Sequence, residues 1–304
     1  ELTQKAAKAL DEMMSLGTTT VEAKSGYGLA TEHELKALQV IKNLNDRHVM
    51  DIVPTFMGAH LVPKEYKENR KEYIRLVCEE MMPLVAKQGI AKFNDVFCEA
   101  DTFDVDEARQ VLEAGLKYGL RPKIHADEIE AIGGSVLAGE LGAISAEHLI
   151  VCPPEGIESL AKGGVIACLL PATSFNLGAT FAPARDMVNA GVPVAMATDF
   201  NPGSCPCLNM QFVINLGCLK YRLTPEEVLT AVTLNGAAAI GMAETVGTVE
   251  PGKFADIVIL NKTPLEDIAV LHEKETIAMV LRDGFVEYVD NQYRDHYKIG
   301  YYEF

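Results

Sequence analysis

The sequence predicts an α/β fold: a parallel-stranded barrel of the (β/α)8 TIM type, followed by a small β-sandwich portion at the C-terminus. Short apolar, β-branched runs alternate with amphipathic stretches from Thr18 to Thr198. Such alternation is typical of parallel sheets with helical crossovers. Polar residues follow directly after several of these runs, as they do on the face of such barrels that carries the chemistry.

Seven apolar runs are expected to form strands. They are Thr18–Ala23, Asp51–Met57, Asn94–Glu99, Pro122–His125, Ala143–His148, Val165–Leu170 and Val192–Thr198. A closed barrel of this type has eight strands and spans about 250 residues. The count is therefore one short, and we expect the first barrel strand to be missing from this chain.

The stretches between these runs have apolar residues at helical spacing. They are Glu32–Leu44, Lys67–Ala86, Val105–Tyr118, Glu128–Leu141, Pro154–Ala161 and Ala182–Ala190, followed by Leu208–Leu219 and Pro225–Met242. Several are followed by a glycine, which readily adopts the left-handed conformation that ends a helix. The last helix should begin after Thr224, a good N-cap, with Pro225 at its first position.

The pattern changes after residue 246. The Gly247–Leu260 stretch reads as two short strands, and Ile277–Arg282 with Phe285–Val289 reads as a hairpin around Asp283 and Gly284. We therefore expect two units: residues 1–246 form the barrel, incomplete at its N-terminus, and residues 247–304 form part of a β-sandwich.

Composition excludes several classes of function. The chain of 304 residues has 27 basic and 43 acidic residues and a net charge of -16, which argues against nucleic acid or an anionic membrane as a partner. It has no apolar run of about 20 residues that could span a bilayer. The seven cysteines are an odd number, which favours free thiols in the cytoplasm over a disulfide framework.

Four polar residues follow predicted strands and should meet at one face. His125 and His148 end two successive strands, Glu128 lies three residues past His125, and Asp199 follows the last strand. Because the C-terminal ends of parallel strands converge, we expect these side chains in one barrel mouth. Imidazoles and carboxylates together are the ligand and acid–base set of a metal hydrolase, and they suit either Zn or Fe.

Each candidate also has a purely structural interpretation. A single histidine at a strand end is usually a core residue, Glu128 could simply favour a helix N-terminus, and Asp199 could cap the next loop. The glycines around Tyr27 could form a plain turn, and Asn201–Ser204 could be an ordinary Asn-Pro-Gly turn. The presence of all of them in one chain favours the functional interpretation.

Five stretches resemble the amidohydrolase superfamily and, within it, the imidazolonepropionase family. They are Val21–Leu29, Phe56–His60, Lys123–Glu128, Glu147–Leu149 and Asp199–Ser204. The resemblance covers most of the chain, and the Pro251–Asp256 run is similar to the composite β-sandwich of the superfamily. It implies hydrolysis of the cyclic amide bond of 4-imidazolone-5-propanoate to N-formimidoyl-L-glutamate, in histidine degradation. It also implies a homodimer with one Zn or Fe ion per subunit.

The resemblance assigns a role to each candidate residue. His125 and Asp199 would be metal ligands, while Asp199 or His148 would take and relay the proton of the attacking water. Glu128 would bind the substrate ring and assist departure of its nitrogen. The remaining substrate contacts would come from Tyr27, His60, Asn201, Gly203 and Ser204.

One family feature is absent from this sequence. The family's first strand ends in His-x-His, and both histidines bind the metal, but no His-x-His occurs here. An arginine that contacts substrate just after that strand is absent too. We therefore expect an N-terminally truncated chain with little hydrolase activity alone, and an active form once a segment carrying His-x-His is added.

Three other functions compete with this one. A different amidohydrolase, such as a nucleobase or guanine-type deaminase, would share the metal site but lack the Tyr27 motif and the Asn201–Ser204 loop. A fragment without the His-x-His pair could bind a small anion without turnover. A dehydrogenase-like doubly wound fold lacks support, because no Gly-x-Gly-x-x-Gly follows a strand.

Overall fold

The main sheet of the computed structural model is parallel, and its strands follow chain order. The structure describes residues 1–261, 265–269 and 276–296. The strands are β1 (Thr20–Lys24), β2 (Asp51–Ala59), β3 (Phe93–Cys98), β4 (Arg121–Ala126), β5 (Ser145–His148), β6 (Ile166–Leu169) and β7 (Val194–Met196). Each pairs in parallel with the next, in the order β1 to β7. The prediction of seven parallel barrel strands is confirmed, and no pairing joins β1 to β7 among the described residues.

Helices connect and cover these strands. They are α1 (Leu2–Ser15), α2 (Thr31–Asn45), α3 (Arg70–Arg75), α4 (Met82–Gln88), α5 (Val105–Leu116), α6 (Gly134–Leu141), α7 (Pro154–Gly163), α8 (Pro171–Leu177), α9 (Ala184–Asn189), α10 (Met210–Leu219), α11 (Pro225–Val232) and α12 (Leu234–Ala239). In the described part of the chain, no helix is both long and apolar enough to cross a lipid bilayer.

Three predicted helices differ from the observed ones. The Lys67–Ala86 helix is divided into α3, a π-helical stretch at Leu76–Met81, and α4. The Pro225–Met242 helix is broken at Thr233, whose hydroxyl donates to the carbonyl of Leu229 and competes with helical bonding.

The third difference bears directly on the site. The prediction of a helix over Glu128–Leu141 is wrong at its start, because α6 begins only at Gly134. The backbone N–H groups of Glu128, Ile129 and Glu130 donate instead to the Glu99 carboxylate. Glu128 therefore lies on a loop after β4, and the helix-dipole interpretation of this residue does not apply.

The apolar core lies between the sheet and its helices. Phe56, Val96, Ile124 and Leu169 are buried strand residues of one core cluster, in which Leu112 of α5 also takes part. Burial on both faces explains why these strands read as nearly continuous apolar runs. This packing holds the strand ends, and the polar residues that follow them, in fixed positions.

A second sheet forms from β8 (Ile257–Leu260), β9 (Ile277–Arg282) and β10 (Phe285–Val289), all antiparallel. The hairpin is confirmed: Asp283 and Gly284 have φ values of 53° and 82°, as a type I′ turn requires. The expected pair of strands in Gly247–Leu260 is wrong, since only β8 forms there. Residues 262–264, 270–275 and 297–304 of the predicted C-terminal unit lie outside the described residues, and the boundary at residue 246 stays a prediction.

Candidate active site

A cavity of about 1160 Å³ extends from the C-terminal ends of the parallel strands through the barrel interior to residues of α1, α12 and β8. All nine residues singled out from the sequence line it: Tyr27, His60, His125, Glu128, His148, Asp199, Asn201, Gly203 and Ser204. Five of the seven strands, or the loops that follow them, contribute to this set. The convergence of strand ends therefore brings the predicted residues to one place.

Two strand ends turn through left-handed backbone conformations. His148 and Asp199 have φ values of 70° and 54°, which few residues other than glycine adopt. A conformation of this kind costs on the order of 1 kcal/mol and persists where the surrounding structure enforces it. Strained residues cluster at functional sites, so their coincidence with two candidate residues supports a functional role for this rim.

His125 is held from behind by a buried carboxylate. Its Nδ1 lies 3.1 Å from Asp95 Oδ1, on the neighbouring strand β3. Burial alone would lower the pKa of His125, but the Asp95 carboxylate raises it above its usual value. When Nδ1 donates to Asp95, the lone pair resides on Nε2, and this is the usual arrangement of a metal-ligating histidine.

The cavity is lined by donor types that both Zn and Fe accept, and their coordination of a metal stays a prediction. Within the described residues His125 Nε2 makes no hydrogen bond, and Asp199 Oδ2 accepts from Thr173 Oγ1 at 2.6 Å. The Nδ1 atom of His148 is buried without a partner. Imidazole nitrogens and a carboxylate oxygen that are not consumed by protein contacts are suitable ligands for either metal.

Another possible ligand group shares His125, but its carboxylates are already paired with lysines. Asp95, His125 and Glu147 have donor atoms within 4.8 Å of one another. However, Lys24 Nζ lies 2.8 Å from Asp95, and Lys123 Nζ lies 3.2 Å from Glu147. A metal cation there would meet two ammonium groups, so we interpret these carboxylates as partners of lysines.

The pKa values of Glu128 and His148 are shifted in opposite directions. Burial raises the pKa of Glu128 to about 7, and the charges of Asp199 and Glu99 act in the same direction. Burial lowers the pKa of His148 well below its usual value. The His148 Nε2 to Glu128 Oε2 distance is 3.5 Å, which is too long for a good hydrogen bond. Near neutral pH the site thus offers a neutral imidazole beside a carboxyl group that can hold a proton.

Tyr27 and His60 form the opposite side of the cavity. Their rings meet edge to face with centroids 5.0 Å apart, and His60 Nδ1 lies 2.8 Å from the carbonyl oxygen of Gly26. Burial lowers the pKa of His60, while burial and the Asp199 charge raise the pKa of the Tyr27 phenol. Both groups are therefore neutral hydrogen-bonding groups at neutral pH.

The Asn201–Ser204 loop is held by its own side chains. Asn201 Oδ1 accepts from the backbone N–H groups of Gly203 and Ser204 at 2.8 and 2.7 Å. Asn201 Nδ2 donates to the Asp199 carbonyl at 2.8 Å and lies 3.0 Å from Ser204 Oγ. The donors and acceptors of the loop are paired with one another in this structure. A substrate would therefore have to replace one of these hydrogen bonds, and the binding role of the loop stays a prediction.

Several residues that support the site were missed from the sequence. Asp95 orients His125, Thr173 contacts Asp199, and Glu99 and Glu34 bind the backbone of site loops. Strand alternation could have revealed other charged residues that lie next to this set. Glu22 and Lys24 in β1, and Lys123 and His125 in β4, are two residues apart in apolar strands and must share the barrel interior.

Comparison with known proteins places the chain in a well-defined family. Residues 4–286 match the profile of the amidohydrolase family. The chain is 52% identical over 285 residues to the imidazolonepropionase of Alkaliphilus metalliredigens, covering 93% of this chain and 68% of that protein. It is 51% identical to the imidazolonepropionase of Geobacillus kaustophilus, covering 94% of this chain and 67% of that protein. The chain thus spans about two thirds of the length of these relatives.

Solved structures share the fold at low sequence identity. A zinc-bound adenosine deaminase from Xanthomonas campestris superposes with a TM-score of 0.73 at 19% identity, over 94% of this chain and 70% of that one. A guanine deaminase from C. acetobutylicum with bound guanine gives 0.72 at 17% identity, over 94% and 75%. At such identities the likeness establishes the architecture alone.

Proposed function

The chain belongs to the amidohydrolase family and, within it, to the imidazolonepropionases, and from this premise we propose that it opens the ring of 4-imidazolone-5-propanoate. The reaction is hydrolysis of the cyclic amide bond, and the product is N-formimidoyl-L-glutamate. One observation carries the proposal: His125, Glu128, His148 and Asp199 line a single cavity, in a chain half identical to imidazolonepropionases over 93% of its length.

We propose His125 and Asp199 as ligands of one Zn or Fe ion per subunit. Their donor atoms lie on the cavity, and Asp95 and Thr173 hold them from the protein side. When bound, the metal would supply Lewis-acid activation of the attacking water and of the ring carbonyl. The donor set does not distinguish Zn from Fe.

Three residues of this chain can transfer protons in the reaction. His148 is neutral, because burial lowers its pKa, and it can accept a proton on a ring nitrogen. Asp199 is a second acceptor, with a carboxylate oxygen besides the one bound to Thr173. Glu128, whose pKa is about 7, can hold a proton and donate it to the departing ring nitrogen. Two groups with pKa values shifted in opposite directions are typical of an acid–base pair.

Substrate positioning falls to the other side of the cavity. The Tyr27 hydroxyl and the His60 ring provide neutral hydrogen-bonding groups for the imidazolone ring. The Asn201–Ser204 loop, with its amide and hydroxyl groups, is proposed to receive the propanoate tail. This loop lies next to Tyr27: a Cβ atom at Gly203 would lie 3.9 Å from the Tyr27 hydroxyl oxygen and 3.3 Å from Asn201 Oδ1.

The proposal extends to the cellular setting. We infer a cytoplasmic homodimer that acts on this small molecule. All seven cysteines are free thiols, as expected in a reducing compartment, and the strongly acidic composition suits a small-molecule enzyme better than a nucleic-acid binder. Light scattering coupled to gel filtration measures the subunit number directly.

The decisive experiment is a substrate comparison with metal analysis. The natural protein at its full length is assayed for imidazolone ring opening and, under the same conditions, for deamination of guanine, adenosine and cytosine. Ring opening with a stoichiometric metal supports the proposal. Deamination in its place would favour a nucleobase deaminase, and anion binding without turnover or metal would favour a non-catalytic role.

A further inference from the structure

The Ser25–Leu29 loop is bound by a buried carboxylate that the proposed mechanism does not use. Glu34 of α2 has no exposed surface. Its Oε2 accepts from the backbone N–H of Gly26 at 2.8 Å, and its Oε1 accepts from the N–H groups of Gly28 and Leu29 at 2.8 and 2.9 Å. One side chain thus fixes three backbone groups within four residues.

These hydrogen bonds explain how a buried charge is tolerated here. No ion pair joins Glu34 to a cation within the described residues, and an isolated buried carboxylate is costly. Three charge-assisted hydrogen bonds compensate for the lost hydration. Glu34 also lies in the first turn of α2, where the helix dipole favours negative charge. The loop and the carboxylate therefore satisfy each other.

Other contacts restrict the loop to this shape. The Tyr73 hydroxyl donates to the carbonyl of Gly58 at 2.8 Å and lies 3.4 Å from the carbonyl of Leu29. A Cβ atom on Gly28 would lie 2.7 Å from the Cβ atom of His33, so no larger residue fits there. The backbone of the loop is enclosed, and its Tyr27 side chain, 62% exposed, projects from it.

Tyr27 reaches across the cavity from this loop. Its ring contacts His60, and its hydroxyl oxygen would lie 3.9 Å from a Cβ atom at Gly203 on the opposite loop. A small rotation of the Ser25–Leu29 backbone would move this hydroxyl by a distance comparable to a hydrogen bond, because the tyrosine side chain is long. The position of the hydroxyl thus depends on the anchoring of the loop.

We propose that Glu34 is a positioning residue for substrate binding: its carboxylate holds the Ser25–Leu29 backbone so that Tyr27 stands over the substrate. The inference rests on the proposed function, since it takes the imidazolone as the ligand that Tyr27 contacts. Glu34 itself touches no substrate. Its removal should weaken substrate binding while leaving the groups around His125 and Glu128 in place.

The test compares Glu34→Gln with Glu32→Gln, an exposed residue of the same helix turn. Glutamine retains one oxygen acceptor but places an N–H₂ donor against the remaining backbone N–H. We expect KM for the imidazolone to rise about tenfold in Glu34→Gln, with kcat and metal content close to those of the parent and of Glu32→Gln. Hydrogen exchange of the peptide containing residues 25–29 should accelerate in Glu34→Gln alone.

A double-mutant cycle shows whether Glu34 acts through Tyr27. Tyr27→Phe should raise KM less in the Glu34→Gln background than in the parent, since the hydroxyl is already misplaced. Multiplicative effects, unchanged KM or unchanged exchange would overturn the inference. If Glu34→Gln does not fold, Glu34→Asp replaces it in the same measurements. Aspartate keeps the charge, but its side chain is one methylene shorter and cannot reach the same N–H groups. All variants are made in the natural protein at its full length. If that parent does not open imidazolones, the proposed function fails, and hydrogen exchange alone decides whether Glu34 holds the loop.

Discussion

Glu128 is the residue whose environment is best matched to a proton-transfer role. Burial raises its pKa to about 7, so near neutral pH a substantial fraction carries a proton for the departing nitrogen. We expect Glu128→Gln to lower kcat by about 100-fold to 10,000-fold, as loss of a general acid does. In the parent enzyme kcat should fall as pH rises through about 7, because the proton is lost. This decrease of kcat with rising pH, the basic limb of the pH profile, should be absent from the variant. Steady-state kinetics across pH provide the measurement.

Glu130→Gln is the matched control, since Glu130 is exposed two residues along the same loop. It should leave both kcat and the pH profile unchanged. A Glu128→Gln enzyme that keeps the same limb would show that another group carries it, and the acid role of Glu128 would have to be abandoned.

Asp95 should determine how well His125 binds metal. The 3.1 Å contact to Nδ1 fixes the ring and its tautomer, and loss of such a partner typically weakens metal affinity about 10-fold to 100-fold. We expect that loss in Asp95→Asn, measured by competition with a chromogenic chelator. Glu147→Gln changes another member of the same carboxylate group and should leave the affinity unchanged. Equal loss in both variants would instead indicate that the metal sits among Asp95, His125 and Glu147.

At the residue scale, the sequence identified the side chains that line the cavity but not those that hold them. His125, His148 and Asp199 could be found because each directly follows an apolar run. Glu34 and Thr173 could not, since both lie on helices and contact loops that follow strands. Their roles depend on packing between elements, which local patterns do not encode.

At the scale of elements, the loop after β4 is organised by the end of β3. The Glu99 carboxylate accepts from the N–H groups of Glu128, Ile129 and Glu130 at 3.1, 2.9 and 3.0 Å. We expect Glu99→Ala to destabilise the protein by about 3 kcal/mol, because it leaves several N–H groups without an acceptor. Urea denaturation provides the measurement.

Glu113→Ala, an exposed position on α5, is the control for this variant and should change the free energy of unfolding by less than about 0.5 kcal/mol. Equal stabilities for the two variants would mean that water replaces the Glu99 carboxylate at no cost, and that the loop conformation does not depend on it.

The same contact explains where sequence reasoning about elements failed. The stretch from Glu128 to Leu141 has helical periodicity. Its first residues donate their backbone N–H groups to the Glu99 carboxylate, however, and the helix begins only at Gly134. Strand prediction succeeded because burial on both faces gives long apolar runs with clear ends. Helix starts are less certain, since a single tertiary hydrogen-bond acceptor can take the first N–H groups.

At the scale of the whole molecule, the barrel interior is an ionic network rather than a purely apolar core. Lys24 Nζ contacts Glu22 and Asp95 at 2.9 and 2.8 Å, and Lys123 Nζ lies 3.2 Å from both Glu22 and Glu147. These groups come from β1, β3, β4 and β5. Four strands are therefore tied together by charges that are buried on folding.

The titration of this network predicts how stability depends on pH. Burial would raise the pKa of Glu22 and Asp95, but Lys123, Lys24 and His125 hold both values below normal. Their contribution is complete above the unfolded carboxyl pKa of about 4 and is lost as pH falls through the folded values. Burial opposes charged Lys24 and Lys123, yet their carboxylate partners raise both pKa values. That contribution is complete below about pH 10.4 and is lost as pH rises further.

Between the acid and the alkaline transition, two other site groups have opposite effects on the free energy of unfolding. The pKa of His148 is lowered, so acidification below about pH 6.5 favours the unfolded chain, which takes up the proton. The pKa of Glu128 is raised to about 7, so acidification over the same range favours the folded chain. We therefore expect stability to change little between about pH 7 and 5, and then to fall steeply below about pH 4.

The measurement is urea denaturation of the metal-free protein across this pH range, with Lys123→Met and Lys162→Met as the matched pair. Lys162 is exposed, so its loss should leave the acid transition in place. Lys123→Met removes the charge that keeps the Glu22 pKa low, and the acid transition should therefore move to higher pH. Stability that rises as pH falls below 4, or a transition at the same pH in both variants, would show that the interior lysines do not hold these carboxylates ionised and that the barrel is stabilised by its apolar core alone.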